Sequence, residues 1–311
     1  MRSFLSLTLL LCTIAVRGGG VALAADLDPA TRAAVVRVEV AVDPACGGTS
    51  LMRDLATRDH LSTYEKELLR RLKVGAVGTG FFVNRDGYVI TNAHVVLSGV
   101  RYRNLKFAPS EWDSLSTTLC TYRQVWVTVG EGSNSRDYLA APVAVAENLD
   151  LALLKVAMPP ATEAAFSPLS IASSRRLSVG DPVTSLGFPN YEFQDSSGRV
   201  LSLIQGRQVH EEMQLTERTD PATHRKVTTV SGTSDGPVMR FQHDAPTGHG
   251  SSGGPLLDGD GHVVGVAYAL LAETAPDGNP EARTDLNLGI ASDVLIRFLK
   301  ENHVTYTEAG R

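Results

Sequence analysis

The sequence predicts an all-β protein, and three observations carry that prediction. Short alternating or continuous apolar runs recur from residue 33 onward. Gly, Asp and Asn punctuate them at turn-like intervals, the pattern of a barrel or sandwich. A Pro-containing connection at 157–167 (AMPPATEAAFS) divides the runs into two roughly equal sets. A chain of 311 residues is long enough for two small barrels but not for several large domains.

Taken in order, residues 33–42 (AAVVRVEVAV) read as the opening strand. Residues 61–72 (LSTYEKELLRRL) break the β rhythm. Helical spacing puts Leu61, Tyr64, Leu68 and Leu72 on one face, and Ser62 with Glu65 fits a capping box. A helical insertion is therefore expected at about 50–73. Residues 81–83 and 88–91 flank Asn84-Arg85-Asp86-Gly87, a hairpin turn. Further strands are predicted at 124–129, 139–145 and 151–156, completing a first unit over 25–160. A second unit, 161–311, is predicted to hold strands at 182–186, 200–204, 227–230, 238–242, 255–257 and 262–270. Residues 190–234 are polar and turn-rich and are expected to form long loops. Residues 292–299 (SDVLIRFL) open on Ser292 as an N-cap and carry Val294, Leu295, Phe298 and Leu299 as an apolar face, so a terminal helix is expected at about 292–302.

The first 24 residues have the layout of an export signal. Arg2 precedes an apolar core at 4–16, and Ala22-Leu23-Ala24 supplies small residues for cleavage before Ala25. The core is shorter than the roughly 20 residues a membrane anchor needs. The expected location is periplasmic or secreted, with no membrane contact after cleavage. The mature chain would hold Cys46 and Cys120, a candidate disulfide in an oxidising compartment, with two separate thiols as the open alternative. Charged residues are 20% and apolar residues 43%, which excludes wholesale disorder. A net charge of −5 without a basic stripe argues against a nucleic-acid partner.

Three segments carry chemistry. Gly250-Ser251-Ser252-Gly253-Gly254-Pro255 places a serine two residues after a glycine and before Gly-Gly-Pro. A serine hydroxyl needs a base to take its proton and N–H donors for the developing oxyanion. The N–H groups of Gly250 and Ser252 are the expected donors, and the context favours Ser252 over Ser251 as nucleophile. Thr91-Asn92-Ala93-His94-Val95-Val96 offers His94, read at a strand end, as general base and acid. Asn148-Leu149-Asp150-Leu151 puts Asp150 in an apolar strand, where a carboxylate needs a partner such as an imidazole.

These motifs, TNAHVV, DLALLKV and GSSGGPL, resemble the trypsin-like (chymotrypsin-fold) serine proteases, and the bacterial HtrA/Deg branch most closely. GTGFFV at 78–83, PLSIASSRRLSVGDPVTSLGFP at 168–189, HVVGVAYA at 262–269 and LGIAS at 288–292 extend the resemblance over most of 33–300. It implies two six-stranded antiparallel β-barrels, one with His94 and Asp150 and the other with Ser252. It also implies hydrolysis of peptide bonds through an acyl-enzyme. Ser251 stands where the branch usually has Asn, and His249 where it usually has Pro. With 59 residues after Ser252, the PDZ domain typical of HtrA proteins is not expected in this sequence.

In this fold the side pocket would involve Tyr268, Leu270, Leu288 and Ile290. None is acidic, so a preference for small or medium apolar residues before the cleaved bond is expected, unless Asp285 reaches inward. The chemistry requires no cofactor. Asp258-Gly259-Asp260-Gly261 starts like a calcium loop but lacks the later ligands, and reads as a hairpin turn with no metal. The expected partner is a polypeptide substrate, and the oligomeric state stays open. A latent or non-catalytic module that binds unfolded proteins on the same fold is the alternative, with an esterase using the same triad as a third reading.

Overall fold

The computed structural model describes residues 27–42, 55, 57–65, 74–97, 123–157, 168–209, 211, 213–219, 226–274 and 280–310. The export signal, Cys46, Cys120, Leu68, Leu72 and most of the inter-unit connection lie outside the described residues. Of the helical insertion, residues 63–65 are helical, and the capping box is present. Ser62 Oγ accepts from the Glu65 N–H at 3.2 Å, and Glu65 Oε2 accepts from the Ser62 N–H at 2.9 Å. Tyr64 does not join a buried face but is 76% exposed.

The chain opens with helix α1 (Pro29–Ala34), begun by Asp28 as N-cap and by a proline in its first turn. Strands β1 (Val35–Val42), β2 (Val74–Phe82) and β3 (Tyr88–Thr91) follow, then the short helix α2 (Ala93–Leu97). Strands β4 (Arg123–Val129), β5 (Arg136–Ala146) and β6 (Leu151–Val156) complete the first barrel. Its order is β1-β2-β3-β6-β5-β4, closed by antiparallel pairing of β1 with β4. Closure leaves no free strand edge. Val36, Val38 and Val40 alternate into a core with Phe82, Val89, Val127 and Leu154. On the opposite face of β1, buried Glu39 takes a 2.9 Å bond from Arg37 Nε.

The second half holds β7 (Pro182–Gly187), β8 (Gln194–Gln205), β9 (Met213–Thr219), β10 (Lys226–Gly232), β11 (Val238–His243), β12 (Pro255–Leu257), β13 (Val263–Thr274), β14 (Pro280–Ala291) and the terminal helix α3 (Ser292–Glu301). Six of these strands close a second antiparallel barrel, β11-β14-β13-β12-β7-β8, while β9 and β10 form a separate hairpin. The two six-stranded barrels are therefore as expected. The expected long loops at 190–234 are not: that segment is mostly β8, β9 and β10. The hairpin docks through Gln242, whose side-chain amide accepts from the Val230 N–H at 3.0 Å and donates to the Thr228 carbonyl at 2.7 Å, as a neighbouring strand's backbone would. Ser292 is not the N-cap of α3. Its hydroxyl donates to the Ala172 carbonyl, and Ser174 Oγ, from a distant turn, caps the Asp293 N–H at 3.1 Å.

One apolar cluster runs through both barrels and α3. It joins Phe81, Ile90 and Leu151 to Leu186, Val266, Ile290, Leu295 and Phe298. Full burial of each such side chain contributes about 1.5–3 kcal/mol. Polar bonds cross the same seam. Thr79 on β2 donates its N–H to the Ser252 carbonyl at 2.8 Å. Its hydroxyl donates to the Gly250 carbonyl at 2.6 Å and accepts from the Phe188 N–H at 2.9 Å. Replacing Thr79 by the isosteric valine strands two buried backbone groups, each costing about 1–3 kcal/mol. Thr79→Val is expected to lose about 2–4 kcal/mol of stability, read as a fall in the urea midpoint at unchanged slope.

His243, at the end of β11, is fully buried beside Phe241. Neither ring nitrogen makes a hydrogen bond of good geometry among the described residues. Burial pushes its pKa down from 6.5 to about 4, against a weaker upward pull from the Ala245 backbone. The folded value lies below the unfolded one, so the neutral ring's contribution is complete above pH 6.5 and is lost as pH falls through about 4. Between those limits the wild type is expected to lose about 3 kcal/mol that His243→Leu does not, measured by urea denaturation across a pH series.

Candidate active site

The site is assembled from three turns. Asn84 Oδ1 accepts from the N–H groups of Asp86 and Tyr88, which shapes the turn into β3. After Thr91 the chain passes buried Asn92 and enters α2, so His94 sits on a short helix and not at a strand end. The reason is packing: Val95 and Val96 bury into the first barrel's core, and the helical turn leaves the His94 side chain 49% exposed.

Asp150 is likewise placed by a turn. A 3-10 turn over Glu147–Leu149 ends at Asp150, which lies just before β6 in the left-handed region at φ 51° and ψ 39°. Aspartate tolerates that region better than most residues. Asn92 Nδ2 donates to the Asp150 carbonyl at 2.9 Å and holds the turn against α2. The Asp150 side chain is 2% exposed. Its Oδ1 accepts the His94 backbone N–H at 2.9 Å, and Oδ2 lies 2.9 Å from His94 Nδ1. With a carboxylate on Nδ1, the neutral ring carries its proton there and leaves Nε2 as an acceptor.

Ser252 lies on the turn between β11 and β12, partly exposed. Its neighbour Ser251 is buried, and the Ser251 hydroxyl accepts from the Gly248 N–H at 3.1 Å. Ser251 thus serves the turn itself, which leaves Ser252 as the serine with a free role. Gly250 and Gly253 hold φ of 104° and 88°. A Cβ on Gly250 would strike the Phe188 carbonyl, and one on Gly253 would strike the Thr79 carbonyl and the Thr91 hydroxyl. Gly253 also packs against the Asn92 N–H, two residues before His94, so the serine loop and the histidine turn are in contact. The loop is pinned to β13 by bonds between Gly253 N–H and Ala267 O at 2.7 Å and between Ala267 N–H and Gly254 O at 2.8 Å. Among the described residues, the N–H groups of Gly250 and Ser252 donate to no backbone carbonyl.

The described members of the expected pocket, Tyr268, Leu288 and Ile290, share one apolar cluster. Leu288 and Ile290 are 1% and 0% exposed and belong to the apolar cluster, and Tyr268 is 8% exposed. The side chains of Leu270 and Asp285 lie outside the described ones. Sequence reasoning passed over Thr247 and Asn287. Thr247 Oγ1 donates to Asn287 Oδ1 at 2.7 Å, and Asn287 Nδ2 donates to the Ala245 carbonyl at 3.0 Å, tying the approach to Ser252 onto β14. A lone Asn in the apolar run 286–291 (LNLGIA) that ends β14 was the signal available for it. Asp258 forms the hairpin expected of it, its Oδ1 accepting from the Asp260 and His262 N–H groups.

The family model of the trypsin-like peptidase domain matches residues 78–266. The chain is 26% identical over 236 residues to a probable periplasmic serine endoprotease, DegP-like, of Rhizobium meliloti (strain 1021), covering 76% of this chain and 36% of that protein. It is 28% identical over 234 residues to the magnetosome formation protease MamE of Paramagnetospirillum magneticum, covering 74% and 25%. To the serine endoprotease DegS of Haemophilus influenzae it is 24% identical over 234 residues, covering 75% and 53%. It thus spans between a quarter and about half of the length of these relatives. The matched segment contains the His94 turn, the Asp150 turn and the Ser252 loop, set on two closed six-stranded barrels. The chain belongs to the trypsin-like peptidase domain family.

Proposed function

We propose that the chain is a serine endopeptidase with His94, Asp150 and Ser252 as its triad. The observation that carries the reading is the double contact of buried Asp150 with His94 beside a glycine-framed serine turn. In this mechanism Ser252 Oγ attacks the peptide carbonyl while His94 Nε2 takes its proton. The oxyanion takes bonds from the Gly250 and Ser252 N–H groups, whose freedom from backbone acceptors suits that role. His94 then gives the proton to the departing amine, leaving an acyl-enzyme that water hydrolyses by the same route in reverse. Asp150 orients the ring and stabilises the imidazolium. The substrate is a polypeptide, with small or medium apolar residues before the cleaved bond, consistent with the neutral Thr247–Asn287 pair near the serine turn. The signal-like N-terminus and the resemblance to a periplasmic endoprotease support action outside the cytoplasm.

The mature chain is expected to digest casein or an unfolded protein and to take a fluorophosphonate label, and Ser252→Ala to lose both. Wild-type protein that neither labels nor digests would sink the enzyme reading. Asp150→Asn keeps the turn but lets the ring adopt the wrong tautomer. Its kcat is expected to fall by about 10⁴-fold near neutral pH. A fall below tenfold would remove Asp150 from the triad.

A further inference from the structure

A cavity of about 350 Å³ lies between the two barrels, behind the serine turn. Its walls include Arg37 on β1, Glu131 in the β4–β5 turn, and Phe188, Tyr191, Glu192 and Phe193 between β7 and β8. Phe188 joins it to the proposed oxyanion donors. The Phe188 N–H bonds the Thr79 hydroxyl that also holds the Gly250 carbonyl, and the Phe188 carbonyl lies where a Cβ on Gly250 would fall. Two residues on, Asn190 donates its N–H to the His249 carbonyl at 3.2 Å. One wall of the cavity is thus the backing of the Gly250 turn. Ala267 and Asn287 hold the serine loop from the β13–β14 side, where the residue before the cleaved bond is expected, and Thr79 and Phe188 hold it from the other. Substrate beyond the cleaved bond therefore runs toward the cavity.

The cations at this cavity are already engaged. Arg37 Nε donates to Glu39 at 2.9 Å, and its Nη2 reaches Thr128 Oγ1, which itself donates to Asp137 at 2.6 Å. Arg32 forks onto both carboxylate oxygens of Glu131, at 2.5 and 2.7 Å, and lies 4.3 Å over the Phe193 ring. Arg136, next to Asp137 on β5, projects from the opposite face of the strand. Glu192 is exposed, and its carboxylate has no partner among the described residues. Asp195, at the start of β8, adds a further negative charge near Arg32. Two guanidiniums thus stand among five carboxylates, and the unmatched one in the cavity wall is Glu192. Beside it, Asn190 and Tyr191 hold φ of 53° and 72°, a region that L residues other than Asn seldom adopt. The Tyr191 ring is left 52% exposed. Its face attracts cations, and Arg37 already lies 5.8 Å from its centre.

We propose that this cavity receives a lysine or arginine side chain of the substrate from the leaving-amine side of the cleaved bond, with Glu192 as the carboxylate that selects it. The inference rests on the reading of the chain as a peptidase. The stem of such a side chain packs on the Tyr191 ring while its charged head stays at the open rim beside Glu192. An acidic side chain at the same place meets the surplus of negative charge and is disfavoured. A neutral one gains the aromatic contact without the ion pair.

The test is cleavage of a mixed peptide library by the mature chain, with the cut sites read by mass spectrometry. Lys and Arg are expected to be enriched, and Asp and Glu depleted, at one of the first positions after the cut. Fluorogenic peptides that differ only in Lys, Gln or Glu at that position then give ratios of kcat/KM. The wild type is expected to favour Lys over Gln by about threefold or more, the scale of an exposed ion pair. That ratio is expected to fall to about one in Glu192→Gln, and in Glu192→Lys the Glu peptide becomes the best of the three. Each ratio is taken within one variant, so loss of folded or active protein cancels. A library profile with no basic preference after the cut overturns the proposal, as does a Lys-to-Gln ratio that Glu192→Gln leaves unchanged. A chain that cuts no peptide and takes no fluorophosphonate label fails as a peptidase and takes this inference with it, whereas Ser252-dependent cutting with a flat profile sinks the inference alone.

Discussion

The seam at Thr79 is the constraint on which the rest depends. This residue belongs to the first barrel, yet three of its hydrogen bonds reach the second, at Ser252, Gly250 and Phe188. Its carbonyl accepts from the Thr91 hydroxyl, three residues before His94. One side chain and its peptide groups therefore set the serine turn and the histidine turn in a common frame. All the groups are buried or nearly so, and a lost partner would not be replaced by water. Directional bonds of this kind fix the separation of the two turns more sharply than apolar packing alone does.

Backbone conformation performs the second part of the work. Gly250 and Gly253 hold positive φ where a Cβ would collide with the opposing backbone, and Asp150 holds a left-handed turn that aims its carboxylate at both the backbone and the ring of His94. These three positions are costly for an ordinary residue. They are kept because neighbouring bonds over-determine them: Gly253 is bonded to Ala267, and the Asp150 carbonyl to Asn92.

The second barrel buries more polar chemistry than a plain core requires. Gln242 stands in for a strand, His243 is kept neutral by burial, and Arg240 keeps its charge beside Tyr268. All three lie within four residues of β11, the strand that leads into the serine turn.

Much of this was legible in the sequence where local pattern governs. The strands at Tyr88–Thr91, Leu151–Val156 and Pro255–Leu257 fall where apolar runs end at turn residues. The capping of residue 62 by residue 65 is a contact three residues apart. Strand β9 and the start of β14, MQLTERT and PEARTD, were not legible, because strands without an apolar face carry no alternation to read. The helical setting of His94 was hidden in the same way, since five residues are too few to show a helical period. The sequence by itself determined the all-β class, the two-unit division and the three motifs, because these rest on residue type and spacing over a few positions. Only the tertiary structure decided that Asp150 meets His94, that Thr79 ties the serine turn to β2, and that Arg240 lies buried behind Tyr268. Each of those joins residues 28 to 173 positions apart, and pairings at that range are set by barrel closure and docking, on which local pattern is silent.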